Sequence, residues 1–579
     1  KPSTLPGGSL QLVRRFRIPA LFCALCVLVC ELISRPYANM GISDDGPYIL
    51  MAQTLASTGH VVYNGWAAPM LVFQLYLAAA FVKLFGFSFT VVRSSALLVA
   101  MLMAFLFQRI LVLANVSERN ATIGTLALAL SPLYLMLSAT FLTDIFGLFA
   151  IIICLYGCLH ALHARSDRAT IAWLCFAVIT NALCGTSRQI AWLGVLVMLP
   201  STLWLLRSRR RVLLAGSAAT LLGALFIFAC LHWLKHQPYI VPEQLLPKSI
   251  HATGIVKAFA FLFLDAPFLL LPLFALFIPV LWWRNRLSIA VVLAICVAYT
   301  LLSFHRGYPF LMEPLAGDWV NLQGIYGSSH LQGDPPIFLP HWVRLLLTIA
   351  SLGGLLGLIA SFFSSPPTAP AAELPKPISW NFLAMLLAPF AIAYTLLLVP
   401  RTVDGTIFDR YLLPLLAIAP IFLLRYYQET IRPKIPAAGA VLVLVMAAYG
   451  VTNTHNQFAF YRARGAIAEE LRAHSIPDTA VDGGWENNLD VELQNSSHIN
   501  FPTIVVPAHA YIPTPPPPPS ACHAFWYDYT PHIHPLYGVS FDPNACYGPA
   551  PFAPVHYSRW LTRTPGTLYV VRYTPPSHP

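Results

Sequence analysis

Apolar stretches of about twenty residues recur along this chain, with arginine and lysine gathered at their ends. In lipid, a stretch of that length must pair its backbone N–H and C=O groups within itself, so an isolated span has to be a helix. Only 10% of the 579 residues are charged and 57% are hydrophobic, whereas soluble domains carry about 25% charged residues. The fold class implied is a polytopic, all-α membrane protein. In a soluble chain, the formal charge of +11 would suggest nucleic acid. Here it reads as inner loops rich in Lys and Arg, and no nucleic-acid partner is expected.

Charge sets the expected topology. Lys1, Arg14, Arg15 and Arg17 precede the first span, Ile18 to Ser34, which places the N-terminus inside. No small-residue exit site follows, so this span reads as a retained signal anchor; residue 1 is Lys, not Met, which reads as a trimmed start. An outer loop, about Arg35 to Phe89, holds two helical pieces. The second span runs from Val91 to Leu113, the third from Ala121 to Ser138, the fourth from Phe141 to Arg165 and the fifth from Ala169 to Leu183. The sixth returns to Arg207. The seventh and eighth flank an outer loop, Lys235 to Lys257, and the ninth and tenth flank a second one, His305 to Trp342. After a Pro-rich linker, Ser364 to Pro377, come the eleventh span, the outer turn Pro400 to Arg410, the twelfth span to Arg425 and the thirteenth, Ala437 to Val451. About thirteen spans put the C-terminus outside.

From Thr452 the composition changes. A small, loop-rich α/β domain is expected over 452–579, following a membrane domain over 1–451. Its expected parts are an amphipathic helix, His455 to His474, and strands near Ala480–Asp482, Thr503–Val506 and Leu568–Tyr573. Pro513 to Pro519 should be stiff polyproline. Nine cysteines sit in apolar stretches and read as small hydrophobes. Cys522 and Cys546 lie in the polar tail and are expected to form a disulfide if that tail faces an oxidising compartment.

With this topology, the unusual polar residues collect at the outer ends of spans: Asp44, Asp45, Asp144, Arg188, Asp409 and Arg410, with Arg93 and Arg306 at the same level. Acids beside a bilayer are costly unless they cap a helix or do chemistry. Asp44–Asp45 follows the first span and could simply cap the next helix, as Thr143–Asp144 could cap the fourth span. Arg188 could be a snorkelling anchor, and Arg410 could pair with Asp409 or Asp404. Asp265 reads as a cap at a helix broken by Pro267, and His532 and His534 as packed loop residues rather than metal ligands. Polar groups at the outer leaflet suit a substrate that is part lipid and part water-soluble. A transporter would more typically place them near mid-membrane on repeated halves.

The strings SDDGPYILMAQTLASTG, LSPLYLMLSATFLTDIFGLFA and FDRYLLPLLAIAP resemble the GT-C glycosyltransferases, more narrowly the protein-mannosyltransferase and aminoarabinose-transferase-like group. The resemblance covers about Leu21 to Tyr427 and only loosely touches Val481 to Asn487 in the tail. It implies a GT-C-like bundle with a catalytic first outer loop and an outer, periplasmic C-terminal domain in a bacterial inner membrane. The implied reaction is inverting transfer of a sugar from a polyprenyl-phosphate-linked donor to an acceptor that is a glycolipid, a polysaccharide or a protein. Asp44 aligns with the family's first acid and is the expected general base; Asp45 would hold the acceptor, a helix end or a divalent metal ion. Asp144, Arg188, Arg306, Arg410 and Tyr411 are the expected substrate-binding residues. The chain departs from the family at Asp44-Asp45-Gly46-Pro47-Tyr48, where a Glu often stands second, and at Trp66-Ala67-Ala68-Pro69, which lacks the family's phosphate-binding Lys. The alternatives are a lipid-linked-glycan flippase or transporter and, among enzymes, transfer of another lipid-linked group.

Overall fold

The computed structural model describes residues 7–242, 264–284, 312–315, 318–324, 331–363, 378–398, 408–516 and 520–575, with a few positions between 290 and 301. The chain is mostly helical. Its helices are α1 Gly7–Ser34, α2 Asp45–Thr58, α3 Val72–Phe85, α4 Phe89–Leu113, α5 Glu118–Ala129, α6 Pro132–Ser138, α7 Thr143–His163, α8 Asp167–Cys184 and α9 Leu199–Leu205. There follow α10 Arg210–Lys235, α11 Leu271–Phe274, α12 Ile278–Arg284, α13 His341–Phe362, α14 Trp380–Leu398, α15 Leu413–Thr430, α16 Ala437–Ala473 and α17 Trp485–Asn495.

Nine helices among the described residues are long and apolar enough to cross a membrane, or ten if the bent pair α5–α6 counts as one span. This is a multi-pass membrane protein. The remaining expected spans are less regular. The third is the bent pair, turned by 67°, because Ser131 caps a new helix through Tyr134 N and Pro132 cannot continue the old one. The sixth falls on Gln189–Leu205 and the eighth on Leu271–Leu281, both shorter apolar helical runs. The ninth falls almost wholly outside the described residues, so the expected count of thirteen is not reached among them.

Burial orders the bundle. The most apolar window of α7 is 78% buried, against 22% for α10. α7 is therefore the central post, packed between α4 and α8, while α10 presents Leu214, Leu221, Leu222 and Phe228 outward. Near the C-terminal end of α1, Glu31 is buried and accepts from the Ser34 and Ser138 hydroxyls at 3.2 and 2.9 Å.

The expected thirteenth span and the helix expected after it are one unbroken helix, α16, of 37 residues. At 1.5 Å per residue it is about 55 Å long, well beyond a hydrocarbon core of about 30 Å. Its polar middle, Thr452 to Gln457, is buried under loops and tail. His455 stacks on Trp560 at 3.7 Å and meets Ser34 O and Ser558 Oγ, and Asn456 Oδ1 takes Trp560 N at 2.7 Å.

The tail builds a small four-stranded sheet ordered β1-β2-β4-β3: β1 Val481–Asp482, β2 Tyr537–Ser540, β3 Val555–Tyr557 and β4 Gly566–Arg572. β1 runs parallel to β2, Val481 opposite Tyr537; β2 and β3 are antiparallel to β4, with Val539 opposite Val570 and His556 opposite Thr567. The strands expected near Ala480 and Leu568 are present. Thr503–Val506 is not a strand: Val506 O receives Tyr239 N at 2.6 Å, and Ile504 is buried beside Val241 and Ala510. Residues 513–516 form no regular hydrogen-bonded element, and 517–519 lie outside the described residues. Cys522 and Cys546 form the expected disulfide.

Candidate active site at one end of the spans

Ser43 has a φ of 55°, a left-handed conformation that costs a non-glycine residue about 1 kcal/mol or more. Beyond it the two consecutive carboxylates diverge. Asp45 is fully buried and receives Arg93 Nε at 2.8 Å and Nη2 at 2.9 Å. It also accepts Ile42 N at 2.7 Å and Phe141 N at 3.2 Å. Arg93, on α4, spends its other donors on the Ala38 and Met40 carbonyls at 2.9 and 2.7 Å. Asp45 thus ties the start of α2 to α4 and to the turn before α7, and its oxygens are filled by protein donors.

Asp44 stands at the N-cap of α2, yet its side chain makes no cap hydrogen bond. Its side chain is 25% exposed. Oδ1 accepts the indole N–H of Trp66 at 3.1 Å, and Oδ2 faces both terminal nitrogens of Arg410 at 3.4 Å.

Arg410 lies in a short 3-10 turn, Asp409–Leu412, that opens the twelfth expected span. It is buried, and besides Asp44 it meets two further carboxylates. Asp318 Oδ2 lies 3.2 Å from Nε without hydrogen-bond alignment, and Asp144 Oδ2 lies 4.0 Å from Nη1. Asp409 is not Arg410's ion partner in this cluster. Its carboxylate takes the backbone N–H groups of Trp319, Val320 and Arg410 itself at 3.0, 2.7 and 2.7 Å, which pins the loop carrying Asp318 against the turn. Burial pushes the Asp318 carboxyl well above the ordinary carboxylate range, against the opposing pull of Arg410.

Asp144 is in the first turn of α7, and its Oδ1 is ion-paired to Arg188 Nη1. Arg188 sits between two 3-10 turns, Gly185–Ser187 and Gln189–Trp192. Its stem packs on Gly147, where a Cβ would stand 3.1 Å from Arg188 Cδ. The guanidinium is directed into the cluster, over the ring of Tyr411 at 5.1 Å. Arg410 lies over the same ring at 5.7 Å. Five of the seven residues singled out from the sequence, Asp44, Asp144, Arg188, Arg410 and Tyr411, therefore come together. Asp45 stands behind them on Arg93, and Arg306 lies outside the described residues.

Sequence reasoning misses Asp318, Trp66 and Asp490. Asp318 carries no local pattern; only the Asp409 contacts bring it in. Trp66 stands out in the sequence only as part of a stretch that lacks the family's lysine, but its N–H proves to be Asp44's donor. Asp490, on α17, accepts Gly41 N at 3.1 Å. It fits because Gly41 and Gly46 lack side chains: a Cβ on Gly46 would stand 2.7 Å from Asp490 Oδ1. Asp265 Oδ1 takes Leu315 N at 3.0 Å. His532 bonds buried Glu492 at 2.7 Å through Nδ1. Among the described residues, no group of three His, Cys, Asp or Glu is placed to hold a metal ion. The acids near Asp44 are gathered around a guanidinium instead. A separate cavity of about 760 Å³, bounded by Met40, Asn64, Arg462, Glu469 and Asp490 among others, includes neither Asp44 nor Arg410 in its lining.

No protein-family model and no curated protein matches this chain. The chain is similar to ArnT from Cupriavidus metallidurans in the apo state, at 15% identity over 81% of this chain and 84% of that one, with a TM-score of 0.40. It is similar to the same protein bound to undecaprenyl phosphate, at 14% identity over 78% and 80%, with a TM-score of 0.41. A smaller portion resembles the Saccharomyces cerevisiae protein O-mannosyltransferase Pmt1-Pmt2 complex bound to the sugar donor, at 15% identity over 40% of this chain and 32% of that one, with a TM-score of 0.28.

Proposed function

We propose that this chain is an integral-membrane glycosyltransferase that moves a sugar from a polyprenyl-phosphate donor to an acceptor hydroxyl, with inversion at the anomeric carbon. One observation carries the reading: a partly open carboxylate, Asp44, lies within 3.4 Å of a buried guanidinium, Arg410, that contacts the ring of Tyr411 as does a second guanidinium, Arg188. In this reading Asp44 takes the proton from the acceptor oxygen as that oxygen attacks the anomeric carbon. The bond from that carbon to the phosphate oxygen breaks on the opposite face, which inverts the centre. The polyprenyl phosphate leaves as an anion and needs cations, not a proton; Arg410 and Arg188 supply them. Trp66 orients Asp44 through Oδ1. Asp45 is assigned as a positioning residue rather than a second reacting acid, because its oxygens are already filled. The site faces the periplasm of a bacterial inner membrane in this reading, with the N-terminus cytoplasmic. Residues 1–451 form the membrane domain, and residues 452–579 follow it as a domain on the outer side.

The test is sugar transfer from a polyprenyl-phosphate donor in nanodiscs. Asp44→Asn should cut turnover by about 10²-fold or more with donor binding retained. Arg410→Lys keeps the charge but loses the fork, and should raise the donor's KM. Near-normal turnover in Asp44→Asn would overturn the base assignment. Transbilayer movement of the intact lipid-linked sugar by wild type, without cleavage of the sugar–phosphate bond, would replace the transferase with a flippase.

A further inference from the structure

The indole that holds Asp44 belongs to a larger aromatic group. Trp66 packs against Trp485 at 5.4 Å, Phe501 at 5.8 Å, Trp526 at 5.9 Å and Tyr529 at 6.3 Å. Trp526 also contacts Trp485 at 5.5 Å, Phe525 at 4.7 Å and Tyr529 at 5.4 Å. The outer loop supplies one of these rings and the C-terminal tail the rest. Trp66 and Trp485 are 8% and 3% exposed, but Trp526 is 43% exposed. Keeping that much of an apolar ring in water forgoes part of its burial gain. Trp526 is held there with a φ of 52°, in the left-handed region.

The segment that carries it is fixed on several sides. Cys522 is tied to Cys546, the Asn500 side chain donates to Ile512 O and Asp528 O, and Asn500 N donates to Tyr529 O. A strained backbone kept by rigid surroundings is common at ligand sites. Asp528, two residues on, is exposed and has Oδ1 on the Thr514 hydroxyl. The open indole is therefore separated from Asp44 by one side chain, Trp66.

We propose that Trp526 is a stacking platform for a pyranose ring of the acceptor, so that the acceptor is a carbohydrate rather than a peptide or a lipid alcohol. A pyranose presents a face of C–H groups that packs on a π-surface, while its hydroxyls reach carboxylates at the edge. A peptide would more naturally pair along a sheet edge, and a lipid alcohol would need an apolar groove. This proposal rests on the transferase reading above and adds the class of acceptor to it.

The full-length protein in nanodiscs is titrated with two probes, undecaprenyl phosphate and methyl β-D-glucopyranoside, and glucoside contact is read by saturation-transfer NMR. Wild type should transfer saturation from aromatic protons to one face of the glucoside. Trp526→Ala should lose this contact, with affinity down about tenfold, while undecaprenyl phosphate binding and thermal midpoint stay at wild-type values. Trp526→Leu keeps apolar packing without a π-face, so it should lose the contact too if the alanine variant does not fold; Trp526→Phe should keep part of it. Undecaprenyl phosphate binding without glucoside contact, or glucoside contact that survives both Trp526→Ala and Trp526→Leu, overturns the platform. Competition of the glucoside signal by a serine- and threonine-rich peptide assigns the surface to a protein acceptor and overturns it as well. Failure of wild type to bind undecaprenyl phosphate sinks the transferase reading instead, and the assignment of an acceptor with it.

Discussion

Removing the Arg93 side chain should loosen the frame on which Asp44 stands, and the structure gives the size of the effect. In Arg93→Met, Asp45 loses two of its four donors and keeps only Ile42 N and Phe141 N. The Ala38 and Met40 carbonyls are stripped of their guanidinium donors in the same step. Breaking a buried ion pair from one side costs about 3–5 kcal/mol, chiefly because a charge is left behind without its partner. Asp45→Ala strands the guanidinium instead and leaves two backbone amides open, with a similar cost expected. The double variant removes both charges, so it should lose clearly less than the sum of the singles, with a coupling of about 2 kcal/mol. Reversible unfolding in mixed detergent micelles, followed by far-ultraviolet circular dichroism, measures all four corners of the cycle. Singles that cost less than about 1 kcal/mol, or that simply add, would refute the claim that this pair holds the loop.

Two further outcomes are expected. Burial raises the Asp490 carboxyl from 3.8 to about 7, with Asp45 and Glu486 adding to the rise while the Gly41 N–H bond and Arg93 oppose it. The folded chain then holds one proton more than the unfolded chain between about pH 4 and 7, so this group's contribution to stability falls as pH rises through that window and levels off above it. Asp490→Asn should flatten that portion of the thermal-midpoint profile; an unchanged profile would exclude Asp490 as its source. Separately, the disulfide closes a loop of sequence separation 24, which constrains the unfolded tail by about 3 kcal/mol. Cys522→Ser with Cys546→Ser should make the tail much more sensitive to limited proteolysis while the spans stay protected, and equal protection in both proteins would contradict this.

The membrane domain is largely legible in the sequence because length and apolarity alone decide whether a segment can cross lipid. Ambiguity enters where helices break, as at Ser131–Pro132 and along Gln189–Leu205, because a broken span and a straight one have the same apolar content. The tail is less legible. Its strands are two to seven residues long, too short for an alternation to stand out, and the β-rich letters of Thr503–Val506 are taken up by packing against Tyr239 and Val241. At the site, the sequence points to charged residues at one level of the membrane, but which of them meet depends on pairing between distant segments. That is why two adjacent aspartates look equivalent and yet separate, one onto Arg93 and the other toward Arg410. It is also why Asp318 has no signal of its own: the contacts that place it belong to Asp409.

The bond from Gly41 N to Asp490 joins residues 449 positions apart. At ribosomal speeds, the interval between making the first and making the second is roughly 20 to 90 s. Through that time the loop after α1 exists without the carboxylate that fits between its glycines and without Trp485 against Trp66. A ribosome halted after α16 would leave a protein with the apolar helices of the described residues made and the loop around Asp44 unfinished. Newly made chains should thus complete the surroundings of Asp44 only after synthesis of α17, leaving a delay between making the apolar helices and finishing this site.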